Sequence, residues 1–145
     1  MDAGLTMMRF KRYEEVEVGD MFPAGPLAFT VGQEVVDRYL AATGDRTGLY
    51  GAPDGPRRAP SMIASVYLIE LLKARRSPPG GIHAKQAIRF HRSIMLGETL
   101  SIHARVVEKY VRKDRPYVVS EFEARGEDGG LVASGRITSI WGQDP

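Results

Sequence analysis

Met62-Ile63-Ala64-Ser65-Val66-Tyr67-Leu68-Ile69-Glu70-Leu71-Leu72 is the stretch on which the fold turns. Glu70 alone carries a charge, and apolar side chains fall on nearly every side of the helix these residues would form. A surface helix keeps a polar face, so a helix apolar all round is expected to be surrounded by other elements. Pro60 stands at its first turn, where a missing N–H is harmless. Lys73, Arg75 and Arg76 mark its last turn, where cations suit the negative end of the helix dipole. Ser77-Pro78-Pro79-Gly80-Gly81 ends it.

Downstream the pattern changes to strands. Residues 82–94 alternate imperfectly. In 99–111, Ile102, Ala104 and Val106 share a face. In 117–125, Val118, Phe122 and Ala124 share one face, and Val119, Glu121 and Glu123 the other. Residues 131–141 close the series. Leu96-Gly97-Glu98 and Glu127-Asp128-Gly129-Gly130 read as turns. One buried helix followed by antiparallel strands packs most economically as a curved sheet wrapped around one long helix, an α+β fold. Such a sheet leaves an edge open. A second copy or a related subunit would cover it, and pockets would form where two such units meet.

Upstream, the chain to Gly25 reads as an irregular arm, most clearly over residues 1–12. Residues 27–31 suit a short strand. Thr30 with Gln33 reads as a capping box, opening a helix through Val35, Val36, Tyr39 and Leu40 that stops at Gly44. A Gly- and Pro-rich loop, 45–58, then separates the two helical patterns. It carries Gly44-Asp45-Arg46-Thr47-Gly48-Leu49-Tyr50, followed by Arg58-Ala59-Pro60-Ser61-Met62. One carboxylate and one phenol thus precede a greasy helix.

Composition bounds the function. The 145 residues fit a single domain, 1–145, able to bury a core without staples. The chain has no cysteine, which excludes disulfides, thiolate metal sites and a cysteine nucleophile. No apolar run is long enough to span a membrane, and the N-terminus does not read as a signal peptide, so a cytoplasmic location is expected. A net charge of +2 is mild, and the basic clusters lack interleaved aromatics, which argues against nucleic acid. Those clusters are Arg57-Arg58, Lys73/Arg75/Arg76 and Lys109/Arg112/Lys113/Arg115. Each is either a solvated face or a holder for the phosphates of a small anion. No pair among His83, His91 and His103 has metal-site spacing with a supporting carboxylate, so no metal is expected.

The loop residues resemble the MaoC-like hydratases and dehydratases, which have the hotdog fold and act on acyl thioesters. Gly44, Asp45, Leu49 and Tyr50 match a G-D-x-N-P-L-H loop, with Tyr50 in the histidine position. The tyrosine, Ala59-Pro60-Ser61-Met62, Ile82-His83-Ala84-Lys85-Gln86, His91-Arg92-Ser93-Ile94 and Leu96-Gly97-Glu98-Thr99-Leu100 are similar to one branch. It comprises the fatty-acid-synthase-type dehydratase halves and the N-terminal halves of double-hotdog hydratases. The resemblance implies hydration of a trans-2-enoyl thioester, or dehydration of its (R)-3-hydroxyacyl form, in fatty-acid metabolism. It implies no cofactor, since the CoA or acyl-carrier thioester is the substrate. It also implies an acid–base pair sharing one water, and backbone N–H groups at the start of the buried helix that polarise the thioester carbonyl.

The candidate residues keep two readings each. Asp45 orients or deprotonates a water, or caps its loop. Tyr50 replaces the histidine, and a phenol with a pKa of about 10 is a poor base at neutral pH. It donates a hydrogen bond, acts as an acid if its pKa is lowered, or lines a wall. Ser61 and Met62 offer oxyanion-binding N–H groups, or are ordinary first-turn residues. His83 contacts substrate or makes a structural hydrogen bond where its strand starts. Arg92, with His91, neutralises a phosphate or carboxylate, or faces solvent, as His103 does. Gln86 contacts backbone or substrate. Met7, Met8, Met62 and Met95 line an acyl pocket or fill the core. The expected function is an acyl-thioester hydratase or dehydratase subunit, a homodimer or a heterodimer whose related partner completes the catalytic pair. The alternatives are a non-catalytic acyl-CoA-binding hotdog protein and a hotdog thioesterase using Asp45 to activate water.

Overall fold

A computed structural model of the chain describes residues 9–48, 50 and 57–143. A 3-10 turn, Tyr13–Glu15, leads into strand β1, Met21–Thr30, and helix α1, Gln33–Thr43. A two-residue strand β2, Arg58–Ala59, precedes a second 3-10 turn, Ser61–Ile63, which runs directly into helix α2, Ala64–Lys73. Strands β3, Ile82–Phe90, β4, Ile94–Met95, β5, Thr99–Arg112, β6, Arg115–Arg125, and β7, Leu131–Ile140, complete the order. Five of them form one antiparallel sheet in the order β1-β5-β6-β7-β3, while β2 pairs with β4.

The period-two patterns decide which face of the sheet meets the helix. Leu100, Ile102, Ala104 and Val106 of β5 are buried, and so are Val118, Phe122 and Ala124 of β6. Alternate residues of β5 such as Ser101 and Arg105 are exposed. In α2 and its leading turn, Ile63, Ala64, Tyr67, Leu68 and Leu71 form the stripe that packs on this face, against β1 and β5. Tyr67 meets Phe29 edge-on at 5.8 Å between ring centroids. The Glu127–Gly130 turn forms as expected. Gly129 adopts a left-handed φ of 80°, and Gly126 N–H bonds Gly130 C=O at 3.0 Å.

Several expectations need correction. The central rod is neither a single long helix nor fully surrounded. Its first turn is 3-10, α2 proper has 10 residues, and Met62 and Ile69 are 44% and 55% exposed. One sheet covers one side of a rod; the opposite side of this one is left partly bare. The capping box does not form either. Gly32 is the N-cap of α1, Thr30 Oγ1 is 2.9 Å from Thr99 Oγ1 in the sheet, and Gln33 instead bonds Asp37 and Arg57. Two further prolines, Pro23 and Pro26, lack the N–H a ladder needs, yet residues 21–30 still form β1, with a register shift between Phe22 and Leu27. The supposedly irregular arm therefore contains half a strand.

The β5–β6 connection is a two-residue turn in which Lys113 and Asp114 both adopt left-handed φ, 50° and 61°. The basic cluster beside it is not simply a solvated face. Lys109 Nζ donates to the carbonyls of Tyr13 and Val16 at 2.8 Å each and lies 4.0 Å from the Tyr13 ring centre. It thereby clips the first 3-10 turn to the sheet. No helix among the described residues is long and apolar enough to cross a membrane.

Candidate active site

Gly44 ends α1 in a left-handed conformation, φ 71°, with its N–H on Ala41 C=O, and the following N–H, that of Asp45, bonds Leu40 C=O at 3.0 Å. The backbone at Asp45 is therefore fixed by the helix it follows. Thr47 then donates its backbone N–H and its hydroxyl to Asp45 Oδ1, at 2.9 and 2.7 Å. These two bonds, the backbone one first, hold the carboxyl below its ordinary pKa. Asp45 is thus an anion at neutral pH with one oxygen spoken for and Oδ2 without a partner among the described residues. A carboxylate of lowered pKa is a weak base, so orienting a water suits it better than deprotonating one.

The other wall begins at Pro60. Ala59, paired with Ile94, is buried, and Leu96 N–H bonds Arg57 C=O at 2.9 Å. These contacts fix where the rod starts. Pro60 is the extended N-cap, and the first donor used within the rod is Ile63 N–H, to Pro60 C=O at 3.0 Å. The N–H groups of Ser61 and Met62 precede it and have no helical acceptor. They lie at the positive end of α2. Tyr50 is half-buried. Leu49 and residues 51–56 of the motif loop, like Met7 and Met8, lie outside the described residues.

Between the helices runs an apolar groove of about 480 Å³. Val35, Tyr39, Ala42 and Thr43 of α1 face Ser65, Val66 and Ile69 of α2 across it. Thr43 is two residues from Asp45, and Ser65 four from Ser61, so the groove ends at the elements that carry both. Asp45 and Tyr50 are not among its walls, and no hydrogen bond joins them. In a single chain the groove is open on its outer side, where Ile69 is exposed.

The remaining candidates lie elsewhere. His83 is exposed on β3, one of the sheet's two edge strands, opposite Ser139. Gln86 is exposed on the same strand. His91 Nε2 is 2.8 Å from Ser134 Oγ, and His103 is half-buried with Nε2 3.9 Å from Glu123. Arg92 is not an open anion receptor. Its Nη1 and Nη2 bond Glu98 Oε1 and Oε2 at 3.0 and 2.5 Å, and it reaches Asp128 at 3.3 Å and Ser93 C=O at 2.9 Å. The Glu98 side chain is only 10% exposed, and this fork holds its carboxyl below the ordinary range. Arg92 braces two turns, at the start of β5 and between β6 and β7.

Sequence reasoning missed Thr47 and the α1 wall of the groove. Both had a signal. Asp-x-Thr after a helix-ending glycine is an Asx-type turn, and Val35, Tyr39 and Ala42 recur at helical spacing.

No protein-family model matches the chain, and no curated protein matches it in sequence. Solved structures do. The R-hydratase PhaJ1 from Pseudomonas aeruginosa superposes with a TM-score of 0.74 at 23% identity, covering 91% of this chain and 86% of that one. The (R)-hydratase from A. caviae involved in PHA biosynthesis gives 0.73 at 18% identity, covering 88% and 98%. The C-terminally truncated HadBC complex, a 3R-hydroxyacyl-ACP dehydratase from Mycobacterium tuberculosis, gives 0.70 at 17%, again covering 88% and 98%. At these identities the likeness establishes the fold: the chain is a hotdog, α+β, of the kind found in R-hydratases and MaoC-like dehydratases.

Proposed function

We propose that this chain is a MaoC-like hydratase or dehydratase subunit acting on trans-2-enoyl and (R)-3-hydroxyacyl thioesters of CoA or an acyl carrier. The observation that carries the reading is Asp45: an ionised carboxylate, held on Oδ1 by Thr47, at the end of a helix that walls an apolar groove. The acyl chain lies in that groove. The thioester carbonyl accepts hydrogen bonds from Ser61 and Met62 N–H, which stabilise the enolate oxygen as negative charge develops on it. Asp45 Oδ2 orients the water whose oxygen bonds to the β-carbon, and Tyr50 donates a hydrogen bond to the same water or to substrate. One proton of that water ends on the α-carbon, so hydration balances with no cofactor.

Neither a carboxylate of lowered pKa nor a phenol is a strong base at neutral pH. A second hotdog subunit, identical or related, therefore covers the bare side of the rod and completes the proton-transfer pair. His83 and Arg92 do not enter this scheme. Hydration of crotonyl-CoA, followed by loss of the enoyl-thioester absorbance, tests it. Slow turnover by the chain alone, restored by a related subunit and lost in Asp45→Asn, is expected. Release of free thiol would instead make it a thioesterase. The Tyr50 substitution favours a second reading, an acyl-thioester-binding subunit. Stabilisation by acyl-CoA with no turnover beside any partner would select that one.

A further inference from the structure

The far end of α2 holds a cation with no counter-ion. Arg75, just past the helix, is half-buried, and among the described residues no carboxylate pairs with it. Its Nη1 donates to Ser139 Oγ at 2.8 Å, its guanidinium lies 5.1 Å from the Trp141 ring centre, and its buried Nε has no partner among the described residues. Burial pulls its pKa down to about 10, which still leaves it charged at neutral pH. The helix dipole and the indole face offset part of the cost of burying that charge. The orphaned donor remains uncompensated.

Arg75 lines a cavity of about 400 Å³, open on one side. Phe10, Met21, Phe22, Val106 and Trp141 supply most of its apolar wall. Two acids also border it, but each is already neutralised: Glu15 by Arg9 and Asp20 by Lys11, both at 2.7 Å. The cavity therefore offers two guanidiniums with no carboxylate partner among the described residues, and of these Arg76 is exposed while Arg75 lies against the Trp141 ring within the hydrocarbon lining. A guanidinium presents a planar fork that a carboxylate matches with two parallel acceptors. We propose that this cavity binds an aliphatic carboxylate, its head on Arg75 and its chain against Phe22 and Trp141. This site is separate from the α1–α2 groove, and the assignment does not depend on the thioester reading.

Calorimetric titration of the whole chain with octanoate tests it. Saturable binding at one site per chain is expected, weakened about tenfold or more for octan-1-ol, which lacks the charge, and for inorganic phosphate, which lacks the chain. Arg75→Met should abolish it. Because that change also removes a stacking partner of Trp141, Met21→Trp provides an independent arm. Met21 is 50% exposed, so the larger ring fills the cavity without disturbing the core. Ala42→Trp, in the other groove, should leave octanoate affinity unchanged. The proposal is overturned by octanol or phosphate binding as tightly as octanoate, by the absence of saturable binding, by binding that survives Met21→Trp, or by binding lost in Ala42→Trp.

Discussion

Two carboxylates of this chain are both held below their ordinary pKa, and they are held in opposite ways. Glu98 is gripped across the fold by Arg92, which also reaches Asp128 on another turn. Among the described residues Asp45 is gripped only by Thr47, two residues away, with Oδ2 left without a partner. The first arrangement ties distant segments together and leaves nothing for a ligand. The second fixes a charge locally and leaves it presented outward. A carboxylate whose partners come from its own turn is available for chemistry; one whose partners come from across the sheet is committed to the fold.

The sharpest way to break this contrast is to remove each charge in turn. Asp45→Asn keeps an acceptor for Thr47, so unfolding by denaturant should be unchanged. Turnover of the competent assembly should fall by about a hundredfold or more, the usual scale for losing a positioned acid–base group. Arg92→Met should do the reverse, preserving turnover at low temperature while lowering stability by about 1–3 kcal/mol, read from urea midpoints. That figure sits below the fully buried range because Arg92 is 31% exposed.

The pH dependence separates the pair further. The folded pKa of Glu98 lies below its unfolded value of 4.5. Between the two, the unfolded chain binds more protons, so acid favours unfolding there. The contribution of Glu98 is therefore complete above the unfolded value and fades as pH falls through the folded one. Glu98→Gln should be less stable than wild type at neutral pH, and the gap should narrow in acid. A gap that stays constant with pH would mean that the brace works through packing rather than charge.

Smaller effects refine the other side of the comparison. Ala42→Trp, which narrows the α1–α2 groove, should cut turnover of long acyl chains about tenfold while sparing crotonyl-CoA. Thr47→Val should have the least effect, a fall of about fivefold or less, but with a diagnostic signature. With its hydroxyl donor gone, the Asp45 pKa rises and the acid limb of the pH–rate profile moves to higher pH. An unmoved limb would show that Asp45 is not the titrating group.

The sheet was largely legible in the sequence because period two is a strong signal when one face is buried. Ile102, Ala104, Val106, Phe122 and Ala124 face the core as their spacing requires. The tight turn at Lys113 and Asp114 escaped notice because neither is glycine, the usual occupant of left-handed positions. The exposure of Met62 and Ile69 was illegible for a different reason. Apolarity on every side says that a helix wants cover, not whether its own chain supplies it all. Asp45 could be picked out, but its grip could not, since Thr47 serves a loop as readily as a site. Arg75 read as one more solvated cation at a helix end; only the fold reveals that Trp141, 66 positions later, closes over it.

Lys109 carries a practical consequence. An ammonium that donates to two main-chain carbonyls while resting on a phenol ring has little freedom to attack an acylating reagent. In the native protein this amine should be among the last to be labelled. The moment it becomes reactive reports that the segment around Tyr13 has come undone, before the sheet itself gives way.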